Sequence, residues 1–425
     1  MSDAETLIEL RQVSKRFGAA DRADDIVVLK DIDFSLRSGE IVAMLGRSGG
    51  GKSTLLRQLE MHCKEQHLPA IFMNLENKLL VEELNQSPLN LLRYLPETEQ
   101  RIVVLIDEVQ YLEDPSNFLK LLYDEYAVKV KIMATDSSAF YIDNRFRDSL
   151  AGRKRLFHLS TCSFDEYLAI AGEDRLLDEY HTIRNNPDYR SLKTDLLRIE
   201  WEKYMIYRGY PAVAAEPDVN EKAALLKEIR DSFIKRDVME SGIQNDVAFY
   251  KLFRLLAAQT GNLVNVNELA SALQIKNETV HSYLNIMQKC YHIALIRPYF
   301  RNLRKELTKM QKVFLPDSGL RNCLLNNFQN LTERADRGEL WENSVFRLLA
   351  EKNDLDEIFY WRTSAGNEVD FVLPSAKKPL AMEAKLNSSL IRPSKYKLFK
   401  AAYPDLPLQF AVLNPVDENF FRQIP

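Results

Sequence analysis

The sequence predicts an α/β fold built around a parallel sheet, followed by helical and smaller mixed units, and three features carry that prediction. Apolar runs at residues 41–45, 70–75, 102–106 and 128–134 are near-continuous rather than alternating, as in strands covered on both faces. Helix-like patterns separate the runs, so the connections read as crossovers between parallel strands. The first run also leads straight into Gly46-Arg47-Ser48-Gly49-Gly50-Gly51-Lys52-Ser53, a complete GxxxxGK[ST] pattern, with a helix-like run at 54–59 behind it.

Strand, glycine-rich loop and helix N-terminus together make a phosphate cradle. The glycines let backbone N–H groups turn toward phosphate oxygens, Lys52 supplies a charge for the β- and γ-phosphates, and the Ser53 hydroxyl suits Mg²⁺. The helix that starts here adds its positive dipole end. The expected ligand is therefore ATP with Mg²⁺, held by Gly46, Arg47, Ser48, Gly49, Gly50, Gly51, Lys52, Ser53 and Thr54.

The third run, 102–106, ends in Asp107-Glu108. Two acids at the end of a buried strand suit a pair of tasks: Asp107 binds the metal directly or through water, and Glu108 activates the attacking water. Thr135, at the end of the next run, is a candidate sensor of the γ-phosphate. Arg153 is a candidate charge-neutralising arginine, acting in cis or, within a homo-oligomer, in trans.

Beyond residue 165 the pattern turns helical, with Leu196, Ile199 and Tyr204 and then Leu225, Ile229 and Phe233 at helical spacing, broken at Gly209-Tyr210-Pro211. Residues 246–325 predict helices opened by Leu252, Leu255 and Leu256, then at 266–273 and 277–289. The short turn Gln274-Ile275-Lys276 makes the last two a helix-turn-helix candidate, and 293–313 would supply the strands of a wing. Residues 335–425 predict a last α/β unit: a helix at 340–350, then strands at 358–361, 369–373, 381–384 and 410–413. The expected organisation is a P-loop domain at 1–165, a helical connector at 166–245, a winged helix at 246–325 and a small α/β domain at 326–425.

Composition narrows the class. A chain of 425 residues exceeds a single ordinary core, and 46% apolar with 28% charged residues is a globular balance. With a net charge of −4, nucleic-acid contact would need a local basic patch. Cys63, Cys162, Cys290 and Cys323 form no CxxC pair, which suits reduced thiols. The acidic first residues resemble no secretion signal and no apolar run reaches membrane-spanning length, so a cytoplasmic protein without an integral membrane segment is expected.

Two resemblances divide the chain. Residues 7–57, from Ile8-Glu9-Leu10 through Arg16-Phe17-Gly18 to Val28-Leu29-Lys30-Asp31 and Ser38-Gly39-Glu40, resemble the start of an ABC-type transporter ATPase. That resemblance implies that Phe17 stacks on adenine and that the chain is a transporter-energising subunit. The family's LSGGQ-type signature, glutamine loop and switch histidine are absent from the sequence. Residues 58–425 resemble AAA-type ATPases with a C-terminal restriction-endonuclease-like domain. The resemblance is carried by Leu105-Ile106-Asp107-Glu108-Val109-Gln110, Ala134-Thr135-Asp136-Ser137-Ser138, Ser149-Leu150-Ala151-Gly152-Arg153, Ser163-Phe164-Asp165-Glu166-Tyr167 and Lys312-Val313-Phe314-Leu315-Pro316-Asp317-Ser318-Gly319-Leu320. Where that family has a glycine before the paired serines, this chain has Asp136. The change of resemblance just after the phosphate loop reads as a join between two P-loop folds.

The C-terminal unit offers a second candidate site. Asp370, then Glu383 and Lys385 thirteen and fifteen residues later, with Glu342 on the preceding helix, fit a PD-(D/E)xK nuclease arrangement. Alternation puts Glu383 and Lys385 on one strand face. Glu342, Asp370 and Glu383 would bind a divalent ion that polarises a phosphodiester, and Lys385 would stabilise charge or position water. Arg297, Arg301, Arg304, Lys305, Lys309 and Lys312 make the predicted wing basic, and Lys276, Asn277 and His281 are expected on the outer face of the third helix, so DNA or RNA is the expected partner. The expected activity is ATP hydrolysis coupled to a nucleic-acid-directed module. The alternatives are the transporter subunit and a regulatory protein in which ATP controls shape with little catalysis.

Overall fold

The computed structural model describes residues 6–17, 26–37, 41–47, 49–136, 154–300, 306, 309–414 and 418–423, with the backbone course alone given for 6–17 and 26–37. The chain forms two compact units, one of residues 1–161 with 289–291 and one of 162–288 with 292–425.

In the first unit, β1 (Thr6–Phe17) and β2 (Ile26–Arg37) form an antiparallel two-stranded sheet of their own, running from Thr6 opposite Arg37 to Phe17 opposite Ile26. Five strands make the parallel sheet: β3 (Ile41–Gly46), β4 (Ala70–Asn74), β5 (Ile102–Asp107), β6 (Val130–Asp136) and β7 (Lys154–Leu159), in the order β4-β5-β6-β3-β7. Its helices are α1 (Lys52–Glu65), α2 (Lys78–Gln86) and α3 (Pro115–Tyr126).

The continuous apolar strands follow from this layering. Ile102, Val104 and Ile106 pack with Phe118, Leu119 and Leu122 of α3, while Val103 and Leu105 pack with Leu55, Leu56, Leu59 and Cys63 of α1. Strands β3, β5 and β6 therefore bury both alternating faces, and each fully buried leucine contributes about 1.5–3 kcal/mol. Strand β7, which sequence patterning missed, pairs with β3 along its whole length at the sheet edge. At Gly46 an added Cβ would lie 2.4 Å from the Leu159 carbonyl oxygen, so only glycine lets the two strands run that close.

In the second unit, α4 (Phe164–Ile170) opens with a capping box in which the Ser163 N–H donates to Glu166 Oε2 at 2.8 Å. Next come α5 (Asp174–Asn185), α6 (Thr194–Tyr207), α7 (Pro211–Ala215), α8 (Val219–Glu240), α9 (Asp246–Ala258), α10 (Val266–Leu273) and α11 (Asn277–Lys289). Gln274, at φ 54°, turns the chain between α10 and α11. Six strands follow: β8 (Ala294–Pro298), β9 (Lys312–Phe314), β10 (Phe359–Arg362), β11 (Glu368–Leu373), β12 (Leu380–Asn387) and β13 (Leu408–Asn414). They form one sheet in the order β13-β12-β11-β10-β8-β9. Around them lie α12 (Ser318–Leu325), α13 (Arg337–Ala350), α14 (Lys397–Ala402) and α15 (Glu418–Gln423). The strands expected as a wing are the last two of the C-terminal sheet, β9 at its edge and β8 between β9 and β10, with Phe359 beside Arg297 and Tyr360 beside Pro298. Among the described residues no helix is long and apolar enough to cross a membrane.

A buried ionic knot ties α12 to the segment before α13. Arg321 Nη1 donates to Asp336 Oδ2 at 2.8 Å, Arg334 Nε donates to Asp336 Oδ1 at 2.9 Å, and both arginine side chains are wholly buried. Burial alone would raise the Asp336 pKa, but the hydrogen bonds from Arg334 and Arg321 pull it down to about 2. A depressed pKa means this contribution is complete above the ordinary aspartate value, about 4, and is lost as pH falls through 2. Asp336→Asn would leave two buried guanidinium groups short of their counter-charge, an expected loss of about 3–5 kcal/mol in urea unfolding. A change near zero would show that the knot is solvated.

Candidate functional site

The phosphate loop closes β3 and opens α1. Gly49 and Gly51 take φ values of 73° and 93°, which L side chains rarely adopt, and the Gly50 N–H donates to the Arg47 carbonyl at 3.1 Å. The first turn of α1 carries no acidic residue to offset its dipole. Lys52 is buried and its Nζ donates to the carbonyls of Gly46 and Arg47, each at 2.8 Å, so its charge lies over its own loop. Ser53 is exposed and Thr54 half-buried at the start of the helix.

The sheet order brings the other expected residues to the same end. Strand β6 lies between β3 and β5, with Leu45 opposite Asp136 and Ile106 opposite Ala134. Asp107, Glu108, Thr135 and Asp136 are all buried at these strand ends. The Thr135 hydroxyl donates to Asp107 Oδ1 at 2.5 Å and accepts from the Glu108 N–H at 3.1 Å, linking the two strand ends. Glu108 stands at φ 59°, ψ 52°, a left-handed conformation that costs a non-glycine residue roughly 1–2 kcal/mol. Gln110, which sequence reading did not single out, donates from Nε2 to Glu108 Oε2. Its only local signal is an amide two residues after a strand-end acid. Phe17 closes β1; its side chain, like Ser48 and Arg153, lies outside the described residues.

In the C-terminal sheet, Asp370 and Glu383 sit on neighbouring strands and are cross-linked through the backbone. The Asp370 N–H donates to Glu383 Oε2 at 3.2 Å, and the Ala384 N–H donates to Asp370 Oδ2 at 2.9 Å. Lys385 Nζ lies 2.6 Å from Glu383 Oε1, which also accepts from the Tyr396 hydroxyl at 2.9 Å. Burial first, then the charge of Asp370, raises the Glu383 pKa.

Glu342 and Asp370 converge elsewhere, on Lys312. The Lys312 Nζ is 3.0 Å from Glu342 Oε1 and 3.7 Å from Asp370 Oδ1, and it also pairs with Glu368. Burial would lower the Lys312 pKa, but Glu342, Asp370 and Glu368 together raise it. Burial chiefly, with Asp370 and Glu368, pushes the Glu342 pKa up against the pull of Lys312. Lys312, counted from sequence among the basic wing residues, is buried at 1% exposure because these carboxylates, distant in sequence, solvate it. Among the described residues no group of three or more His, Cys, Asp and Glu side chains is arranged to hold a metal ion. Lys276, Asn277 and His281 are exposed, while Val280, Leu284 and Met287 are buried on the inner face of α11.

Comparison with known proteins bears on each part of the chain. A profile described as an AAA domain matches residues 38–168, and two profiles described as domains of unknown function match 198–331 and 337–424. A protein of Mycobacterium tuberculosis described as uncharacterized is 25% identical over 390 residues, 91% of this chain and 79% of its own length. A macrolide export ATP-binding/permease protein of Burkholderia thailandensis is 52% identical over 56 residues, 13% of this chain and 8% of that protein. Among solved structures, the ORC1 protein of Aeropyrum pernix in complex with DNA is 13% identical, covers 68% of this chain and 86% of its own, and gives a TM-score of 0.29. Residues 38–168 carry an AAA-like P-loop fold with a parallel sheet.

Proposed function

We propose that this chain binds ATP with Mg²⁺ at residues 46–54 and hydrolyses it. The observation that carries the reading is the convergence at adjacent strand ends: the glycine-rich loop on β3, Thr135 on β6, and Asp107-Glu108 at the end of β5, hydrogen-bonded through the Thr135 hydroxyl. Ser53 and Asp107 offer oxygen donors, the set that a hard cation takes. Bound there, Mg²⁺ would neutralise charge developing on the β- and γ-phosphate oxygens.

Each residue then has a task. Loop N–H groups and the α1 N-terminus orient the phosphates, and Lys52 exchanges its carbonyl partners for phosphate oxygens. Glu108 orients the attacking water as general base, with its carboxylate held by Gln110, and Thr135 couples the metal-binding acid to the water-activating one. The exposed Lys276, Asn277 and His281 support reading α10 and α11 as a helix-turn-helix pair directed at nucleic acid.

Phosphate release by the full chain tests the reading. Mg²⁺-dependent conversion of ATP to ADP is expected. Tight ATP binding without release would instead favour a nucleotide-controlled binding protein.

A further inference from the structure

Lys312 is the most deeply buried cation of the C-terminal sheet, and its surroundings are those of a bound ion. Its side chain is 2% exposed and meets carboxylates from two elements: Glu342 on α13, and Glu368 and Asp370 on β11. The Tyr360 ring lies 5.7 Å from the ammonium on a further side. Glu342 accepts from the ammonium at 3.0 Å and Glu368 pairs with it closely, while Asp370, at 3.7 Å, faces it as a counter-charge. Opposite Glu342, Gly261 stands at φ +80°, and a Cβ there would come within 3.0 Å of Glu342 Oε2. The remaining oxygen of Glu368 pairs with Arg362 at 3.1 Å.

Two of the three contacts have the spacing of an ammonium–carboxylate pair. Glu342 and Asp370 stand 3.0 and 3.7 Å from Nζ, whereas Mg²⁺ demands oxygens at about 2.0–2.1 Å in a near-octahedral shell. The charge is also tethered: β9 pairs with β8 through Lys312 and Ile296, and Leu263 bridges to Lys312 from the other side. For a divalent ion to enter, the buried Lys312 side chain would have to withdraw from between the three carboxylates, which themselves stay partly exposed.

We propose that Lys312 is the resident cation of the Glu342–Glu368–Asp370 cluster, standing where a divalent ion would otherwise bind and leaving the C-terminal unit free of metal. The carboxylates that a sequence pattern assigns to phosphodiester hydrolysis then serve to clamp β9 against α13 and β11. The inference is independent of the ATPase reading, because it concerns a different unit and needs no nucleotide.

The test uses the nucleotide-free full chain, with Mn²⁺ as the probe. Wild-type protein is expected to take up no Mn²⁺ at this cluster by paramagnetic resonance titration and to cut no DNA in its presence. Lys312→Met should melt lower than wild type, regain several degrees with millimolar Mn²⁺, and lose that recovery in the Lys312→Met/Glu342→Gln double variant. A folded Lys312→Met protein that gains no Mn²⁺ binding would overturn the proposal. Should that variant fail to fold, the wild type decides: Mn²⁺ uptake or DNA cleavage that Asp370→Asn removes would overturn it, and absence of both would support it.

Discussion

Lys52→Ala is expected to abolish ATP binding. The lysine is the charged residue of the loop pattern, and burial has already removed most of its contact with water. Its two carbonyl contacts hold the ammonium above the loop, so phosphate oxygens can replace them with little reorganisation. Truncating one side of a desolvated charged contact costs about 2–5 kcal/mol, or roughly 30- to several-thousand-fold in affinity. Calorimetric titration with ATP reads the loss directly, and an unchanged circular dichroism melt separates it from unfolding. Lys52→Arg is not a rescue, because the planar guanidinium cannot follow a compact ammonium into the same cradle. Undiminished affinity in folded Lys52→Ala protein would remove the loop from nucleotide binding.

Glu108→Gln should separate binding from turnover. The amide keeps the shape of the carboxylate and can still accept from Gln110 through its oxygen, so the left-handed turn at 108 retains its support. What it loses is the ability to take a proton from water. Positioned general bases contribute about 10²- to 10⁴-fold, and a fall of that order in phosphate release is expected with ATP affinity unchanged. The variant should therefore accumulate the ATP-bound form. Normal turnover would move the base to another residue.

Much of the first unit was legible because local signals agreed. Residues 41–45 and 102–106 are apolar on both alternating faces, and the glycine-rich loop fixes where a strand must pass into a helix. Strand β7 escaped because Lys154, Arg155 and His158 break its apolar run, which an edge strand with a single neighbour tolerates. In the second unit the helix at 337–350 and the strands at 359–362, 368–373, 380–387 and 408–414 stand close to where patterning expected them. Lys312 could not be read correctly from its neighbourhood. Its partners lie 30, 56 and 58 residues further along, at Glu342, Glu368 and Asp370, and no local pattern announces that a basic residue will be solvated by acids so distant. The same holds for β8, which pairs antiparallel with β9 and also lies beside β10, a neighbour about 60 residues further along.

The six-stranded sheet decides where this chain can be divided. The helix and strand pattern of the sequence suggests a cut near residue 325, between the helix-turn-helix segment and the last α/β unit. Such a cut would strip β8 and β9 from β10, bare a ladder of backbone hydrogen-bonding groups, and carry the Lys312 charge away from its carboxylates. The fragment left behind would present a raw sheet edge, the feature by which proteins recruit further strands and precipitate. Because β8 and β9 share a sheet with β10–β13, the two segments are expected to behave as a single piece in expression, proteolysis or grafting.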